Sequence, residues 1–136
     1  MDIEQARAFL ADHHRAVLIT LRTDGRPQAS PVMAAVDADG KVAISTRETA
    51  MKTRNARRDP RVSLCALSDG FVGPWVQVDG RAEIVPLPEA MQGLIDLYRR
   101  AAGEHPDWDD FRAAMDRERR VLLRIEIERA GPERSG

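Results

Sequence analysis

The sequence predicts a mainly β (α+β) protein, built as a small antiparallel barrel of about six strands with accessory helices. Six segments show strand periodicity, short turns join most of them, and the helical segments lie at the ends or between a few strands. A parallel α/β sheet would need a helical crossover between most strands, and the chain lacks these crossovers. The 136 residues suit a single domain, 1–136, without an internal linker or repeat.

The first half of the chain is predicted to form one helix and four strands. Asp2 can cap a helix over 2–12. An Asp-Gly turn follows the first strand, which is apolar on both faces and is therefore expected to be covered on both sides. The predicted elements that follow the first helix are strands 15–22, 27–36 and 41–46, a polar helical segment at 48–58, and strand 61–67.

The second half contains the clearest alternation, in a strand over 75–85 that Gly80 is expected to interrupt with a bulge. A helix is predicted over 88–102, stopped by Gly103, and Asp107 can cap another helix. The last strand covers 120–128, and the tail from about 130 to 136 is expected to fray.

Composition narrows the function classes. The 21 basic residues against 22 acidic ones give a net charge of −1, which argues against nucleic-acid and membrane-surface binders. The apolar runs are too short for a membrane span, and the acidic N-terminus does not resemble a signal peptide, so we expect a cytoplasmic protein. The single cysteine, Cys65, sits in an apolar run and is predicted to be a buried core thiol.

Hydrolytic motifs are absent, with no Gly-x-Ser-x-Gly elbow, Walker loop or His-Glu-x-x-His pattern. His13 and His14 are adjacent at a helix end, where they chelate a metal poorly, and the histidines are expected at the surface. We predict no metal site and name no catalytic residue. The acids at Asp107, Asp109 and Asp110 fit capping of a helix start.

An anion-binding pattern occurs at the end of the third strand. Ser45 and Thr46 precede a helix that carries Lys52, one of only two lysines among the basic residues. Hydroxyls, helix-start N–H groups and a lysine together suit a phosphate. A solvated basic face balanced by Glu48 and Asp59 is an equally good interpretation of the spacing.

Two further features favour a ligand edge. The second strand carries Gln28, Ser30 and Pro31 within an otherwise strand-like segment, either for a ligand or as an edge strand protected by prolines. Trp75 begins the alternating strand on its polar face, where an aromatic ring suits a cofactor ring, a partner subunit or a helix.

Four segments together carry a family resemblance. They are Asp-Gly-Arg-Pro-Gln-x-Ser-Pro-Val at 24–32, Ser-Thr at 45–46, Lys-Thr-Arg-Asn-x-Arg-Arg-Asp-Pro-Arg at 52–61 and Gly-Glu-His-x-Asp-Trp-Asp-Asp at 103–110. The chain resembles the pyridoxamine phosphate oxidase-like split β-barrel proteins over about residues 5–128, and specifically the flavin/deazaflavin oxidoreductase B group that uses coenzyme F420.

The resemblance implies a homodimer of split barrels with cofactor sites at the subunit interface. It places Lys52, with Ser45 or Thr46 nearby, at the cofactor phosphate, and Trp75 beside the cofactor, across the dimer in one arrangement. By the same resemblance, Thr53 and Asn55 would line the wall of the phosphate site. The residues that would border the deazaflavin ring or its ribityl chain are Gln28, Ser30, Pro31 and Val32.

One departure concerns the phosphate. Some relatives carry a second arginine ligand where this chain has Ala50, and Arg47, Arg54 or Arg58 could replace it. The leading hypothesis is an F420-dependent oxidoreductase that transfers hydride to a small conjugated or quinone-like substrate. The alternatives are an FMN-binding oxidoreductase of the same fold and a non-catalytic F420 carrier or storage protein. A nucleic-acid binder is disfavoured because aromatic residues for base stacking are scarce.

Overall fold

The computed structural model describes residues 1–131, which form ten elements. The strands are β1 (Arg15–Leu21), β2 (Pro27–Val36), β3 (Val42–Arg47), β4 (Arg61–Leu67), β5 (Trp75–Val85) and β6 (Arg120–Gly131), and the helices are α1 (Ile3–Asp12), α2 (Met51–Arg58), α3 (Met91–Ala102) and α4 (Trp108–Arg117). The strands close into an antiparallel barrel in the order β1-β2-β3-β6-β5-β4. The predicted barrel with accessory helices is therefore confirmed.

The predicted caps and turns form as local chemistry dictates. The Asp2 carboxylate accepts from the Gln5 amide while the Gln5 side chain accepts from the Asp2 amide, which closes a capping box on α1. The Asp107 carboxylate accepts from two amides at the start of α4. Gly25 and Gly40 sit in the two hairpin turns at φ of 86° and 78°, where side chains with a Cβ are strained.

Three predicted boundaries differ from the structure by three residues each. Helix α2 begins at Met51 rather than at residue 48. Helix α3 begins at Met91 rather than at residue 88, because the chain first makes a separate turn in which the Ala90 amide donates to the Pro86 carbonyl. Strand β6 continues to Gly131, which pairs with Gln77 of β5, so residues 130 and 131 do not fray. The rest of the predicted frayed tail, 132–136, lies outside the described residues.

The barrel interior holds the main core. Its members are the inward-facing residues of the strands together with one face of α1, and the largest fully buried ones include Leu10, Leu18, Ile44, Leu64, Val76 and Leu123. A second core lies between α3 and α4 and the outer surface of β2, β3 and β6, with Leu94, Leu97, Phe111 and Leu122 among its members. The two cores together place α3 and α4 against the outside of the barrel wall.

One outer surface of the barrel is not covered by any of the four helices within residues 1–131. It consists of three cross-strand rows on β2, β1, β4 and β5, which we call the outer sheet face: Met33–Arg15–Leu67–Trp75, Pro31–Val17–Cys65–Gln77 and Ala29–Ile19–Ser63–Asp79. These residues alternate with core residues along each strand and are exposed or half-buried. The expectation that β1 is covered on both sides is therefore met on one side only within a single chain.

Cys65 belongs to this outer sheet face, and the prediction of a buried core thiol was wrong. The register places its neighbours Leu64 and Ala66 in the core and Cys65 itself half-buried on the opposite side of β4. Partial burial raises the pKa of the Cys65 thiol above its usual value. The apolar run around Cys65 could not distinguish the two faces of the strand.

The described helices are all too short or too polar to cross a lipid bilayer.

Candidate cofactor cleft between strands β2 and β3

The barrel is split between β2 and β3. These two strands pair only over Ala34–Val36 and Val42–Ile44 and then diverge. The first part of β2, up to Met33, keeps its pairing with β1 alone, and the end of β3, from Ser45, keeps its pairing with β6 alone. The gap exposes unpaired strand edges, which is the kind of opening in which a ligand contacts backbone and side chains together.

Helix α2 is anchored at the end of this gap by fully buried polar side chains. The Thr53 hydroxyl donates to the Arg47 carbonyl at 2.6 Å and lies 3.2 Å from the Thr46 hydroxyl. The Asn55 amide nitrogen donates to the Thr20 hydroxyl at 3.1 Å, which in turn donates to the Gln28 side-chain oxygen at 3.2 Å. Buried polar groups are tolerated only when they are hydrogen-bonded, and this network ties α2 to β1, β2 and β3.

Thr46, Thr53 and Asn55 therefore act in this structure as anchors of α2. Each is at most 1% exposed, and each forms its side-chain hydrogen bonds with other protein atoms. They position the wall of the cleft without presenting free atoms to it.

The start of α2 has the features of an anion-binding site. Its cap residue, Ala50, has no side-chain hydrogen bond to offer, and the amides of Met51 and Lys52 have no acceptor within residues 1–131. Free amides and the positive end of a helix attract phosphate oxygens.

Lys52 supplies a charge at the same place. Its side chain is half-buried and has no carboxylate partner in the described part of the chain. Desolvation, followed by the positive charge of Arg120, lowers the pKa of the Lys52 ammonium below its usual value. An anion placed here would offset both effects, because its negative charge would stabilise the charged form of Lys52.

Arg120 is the second cation of the cleft, and sequence reasoning missed it because it lies at the start of the last strand. Its guanidinium donates to the Glu118 carboxylate at 2.8 Å. Among the arginines suggested as replacements at Ala50, Arg47 pairs with Glu118 at 3.4 Å, and Arg58 donates to the Asn55 side chain and the Leu21 carbonyl. Arg54 is exposed.

Strand β2 presents its predicted ligand residues on two opposite faces. Gln28, Ser30 and Val32 face the same side as the core residues of β1, whereas Pro31 belongs to the outer sheet face. The Ser30 hydroxyl is buried, and it is the one such side-chain atom without a hydrogen-bond partner among residues 1–131. A buried orphan hydroxyl at the gap fits a polar ligand that would complete its bonding.

Ser45 and Thr46 also point to opposite sides of β3. Thr46 is buried inside, whereas Ser45 is half-buried and lines a cavity of about 400 Å³ beneath α3 and α4. Met33, 55% exposed on the other side of the gap, lines the same cavity. Of the two hydroxyls predicted for the phosphate, Ser45 is the accessible one.

Trp75 does not join the other predicted site residues within one chain. It occupies the far end of the row Met33–Arg15–Leu67–Trp75, three strands away from the gap. Adjacent strands lie about 4.8 Å apart, so Trp75 is on the order of 14 Å from Met33 along the sheet.

The three histidines lie in different surroundings, and none of them belongs to a metal site in the described part of the chain. The His14 ring lies 2.9 Å from the Ala34 carbonyl, and His13 packs on Phe9. His105 is half-buried in an aromatic cluster rather than free at the surface. Across residues 1–131 no cluster of three or more His, Cys, Asp or Glu side chains could hold a metal ion.

The fold defines a class of protein, the split β-barrels, in which the sheet opens between two strands. Comparison with known families then identifies the particular one. Residues 3–132 match the pyridoxamine 5'-phosphate oxidase family, and the chain belongs to that family.

Individual relatives agree with this assignment. The chain is 31% identical, over 93% of its length and 84% of the relative, to an F420H(2)-dependent biliverdin reductase of Mycobacterium tuberculosis (strain CDC 1551 / Oshkosh). A crystal structure of a conserved hypothetical protein of Mycobacterium tuberculosis superposes with a TM-score of 0.77 at 27% identity, covering 100% of this chain and 92% of that one. A structure described as an F420 reductase shares the fold with a TM-score of 0.73 at 22% identity, over 92% and 94% of the two chains.

Proposed function

We propose that this protein is an oxidoreductase that binds coenzyme F420 and transfers a hydride from the reduced deazaflavin to a small conjugated or quinone-like substrate. The observation that carries the proposal is Lys52, a half-buried cation without an acidic partner at the uncapped start of α2. The F420H(2)-dependent relative of 31% identity supports the cofactor.

The residues of the cleft fit a phosphorylated cofactor. Lys52, the free amides at the start of α2 and the Ser45 hydroxyl would hold the phosphate. The Ser30 hydroxyl and the Gln28 side-chain amide would meet polar atoms at the ring or ribityl chain. When bound, the reduced deazaflavin supplies the hydride, while the protein supplies position and exclusion of water.

The affinity for F420 tests the phosphate site. We expect Lys52→Met to weaken F420 binding about 10- to 100-fold, because a charge-assisted hydrogen bond contributes about 1.5–3 kcal/mol. Arg54→Met is the matched control, since Arg54 is an exposed cation two residues further along the same helix, and it should change the affinity less than threefold. Equal effects of the two substitutions would refute a specific phosphate site.

Two measurements distinguish the proposed function from its alternatives: the preference for F420 over FMN, and turnover of the reduced cofactor. Binding of F420 without FMN, followed by tryptophan fluorescence quenching, supports the proposed cofactor, and the reverse preference would replace it with FMN. Tight F420 binding without oxidation of the reduced cofactor across quinones, enones and tetrapyrroles would indicate a carrier or storage protein instead.

We also propose that the outer sheet face pairs two copies of the chain. Strands β1 and β2 present apolar side chains on this face, the half-buried Val17 and Ile19 and the exposed Pro31 and Met33, and no described helix covers them. An uncovered apolar sheet face of this kind is typical of a subunit interface. Pairing would also bring the Trp75 of one copy towards the other, as the family resemblance implies.

Light scattering after gel filtration tests this arrangement. The native protein should have twice the 15.2 kDa chain mass, and Val17→Arg at the centre of the face should give the monomer. Gln92→Arg, on the exposed side of α3, serves as the control and should leave the dimer intact. A native monomer would contradict the interface.

A further inference from the structure

We propose that the cavity beneath α3 and α4 is a substrate pocket that takes a neutral, planar conjugated carbonyl compound, with His105 donating to its oxygen. This inference rests on the proposed function, because it gives the substrate of that reaction a place and a chemistry. The cavity adjoins the cofactor cleft and shares Ser45 and Arg120 with it, whereas the aromatic residues of α3 and α4 that line it have no part in the proposed phosphate site.

The cavity has the size and the lining of a small-molecule site. It encloses about 400 Å³, within the range of ligand pockets. Its walls are mostly apolar or aromatic side chains, including Met33, Leu94, Leu97, Tyr98, Phe111 and Met115. Flat rings suit such walls, because aromatic pairs favour edge-to-face contacts at centroid distances of about 4.5–7 Å.

The aromatic side of the cavity is formed by Tyr98, His105 and Phe111, and the neighbouring Trp108 holds these three rings in place through ring contacts and charge. Tyr98, His105, Trp108 and Phe111 contact one another with centroids 5.1–5.8 Å apart. The Trp108 indole nitrogen donates to Glu104 at 3.1 Å, and Glu104 pairs with Arg99, whose guanidinium lies 4.7 Å from the Trp108 ring. The pocket is therefore formed before any ligand arrives, which lowers the entropic cost of binding.

The hydrogen bond that His105 accepts determines which of its ring nitrogens can donate. The Asp107 amide donates to its Nδ1 at 3.0 Å, so the neutral imidazole carries its proton on Nε2. The Nε2–H group has no acceptor among residues 1–131. A carbonyl oxygen of a bound ring would accept this hydrogen bond.

The charges around the cavity favour a neutral ligand. Asp110, Glu118 and Arg120 line its rim, and Arg120 already donates to Glu118 at 2.8 Å. Glu118 also pairs with Arg47 at 3.4 Å, so the cavity lining within residues 1–131 offers no unpaired cation to a carboxylate ligand, whereas an uncharged carbonyl needs none.

The position of the cavity connects it to the cleft. Met33 and Ser45, which line the cavity, stand on the two sides of the gap between β2 and β3. A ring bound under α3 and α4 would therefore reach the opening where Lys52 and Ser30 are proposed to hold the cofactor.

Binding of coumarin to the cofactor-free protein tests this pocket, with naphthalene as the ring of matching size that lacks a carbonyl. The readout is the pair of indole N–H signals in a ¹⁵N-correlated NMR spectrum, assigned with Trp75→Phe. We expect coumarin to shift the Trp108 signal and to leave Trp75 unmoved. His105→Phe should weaken coumarin binding about fivefold without weakening naphthalene, since a neutral hydrogen bond contributes about 1 kcal/mol.

Two further variants keep the test decisive. His105→Gln, whose amide can donate, should restore most of the coumarin affinity, and Tyr98→Phe, which removes the other donor of the wall, should preserve it. A shift at Trp75 alone, no binding of either ring, or equal coumarin affinity in native protein and His105→Phe would overturn the proposal. Because no cofactor is present, failure here is distinct from failure of F420 to bind at Lys52.

Discussion

Replacing Gly80 with alanine should destabilise the barrel severely. A Cβ at Gly80 would lie 2.1 Å from the Glu126 carbonyl oxygen, 2.9 Å from the Ile125 Cγ2 atom and 3.0 Å from the Glu126 carbonyl carbon. The register of β5 and β6 shifts between Asp79 and Gly80, so the two backbones approach closely at this bulge.

The loss of stability expected for Gly80→Ala depends on how far the neighbouring backbone would have to move. Ordinary contacts of a Cβ lie beyond 3.4 Å, so the β6 backbone would have to retreat by more than an ångström. Overpacking costs about 1–3 kcal/mol when side chains yield, and a fixed backbone partner places Gly80→Ala at about 3 kcal/mol or above. This loss is a large part of a typical stability of about 5–15 kcal/mol.

Urea denaturation followed by far-ultraviolet circular dichroism measures the loss. Gly131→Ala is the matched control, because it lies in β6 with no atom within 4 Å of the added Cβ, and its free energy of unfolding should stay within about 0.5 kcal/mol of the native value. Thermal unfolding should show a fall of roughly 10 °C for Gly80→Ala. If the two glycine variants unfold at the same urea concentration, the close approach of β5 and β6 is wrong.

Three other outcomes are expected. Asn55→Leu should cost about 1–2 kcal/mol, because it leaves the buried hydroxyl of β1 without its donor, and it should also weaken F420 binding; unchanged stability would contradict the anchoring network. Hydrogen bonds from Arg61 lower the pKa of Asp59 to about 2 from 3.8. The stabilisation of the folded protein by the ionised Asp59 is therefore present above pH 4 and lost towards pH 2. In urea titrations, Asp59→Asn should destabilise the protein at pH 6 and not at pH 2. Arg124→Met should cost about 1 kcal/mol, since it strands the half-buried Asp37, and 1 M NaCl should shrink the difference in unfolding free energy between variant and native protein.

The candidate site could be predicted from sequence only in part. Lys52 and the start of α2 follow from local residue types, and their place at the end of β3 agrees with the structure. The opposite orientations of Ser45 and Thr46 depend on how β3 pairs with β6. Arg120 and His105 were missed because strands and helices distant along the chain bring them to the gap and the cavity.

The local features of this protein follow from residues that are close together along the chain. Alternating polar and apolar residues predict the strands, Asp-Gly turns predict the hairpins, and capping carboxylates predict the helix starts, each within a few residues. Gly80 likewise predicts the bulge that the structure shows at that position. Which face of each strand became core depends on how the strands pair, and this pairing places Cys65 outside the core and Trp75 far from Lys52. The strand pairing also decided where the barrel stays open, because the β2–β3 pairing ends where the β1 and β6 pairings continue. Register and closure are properties of the whole sheet, which no local pattern of residues contains.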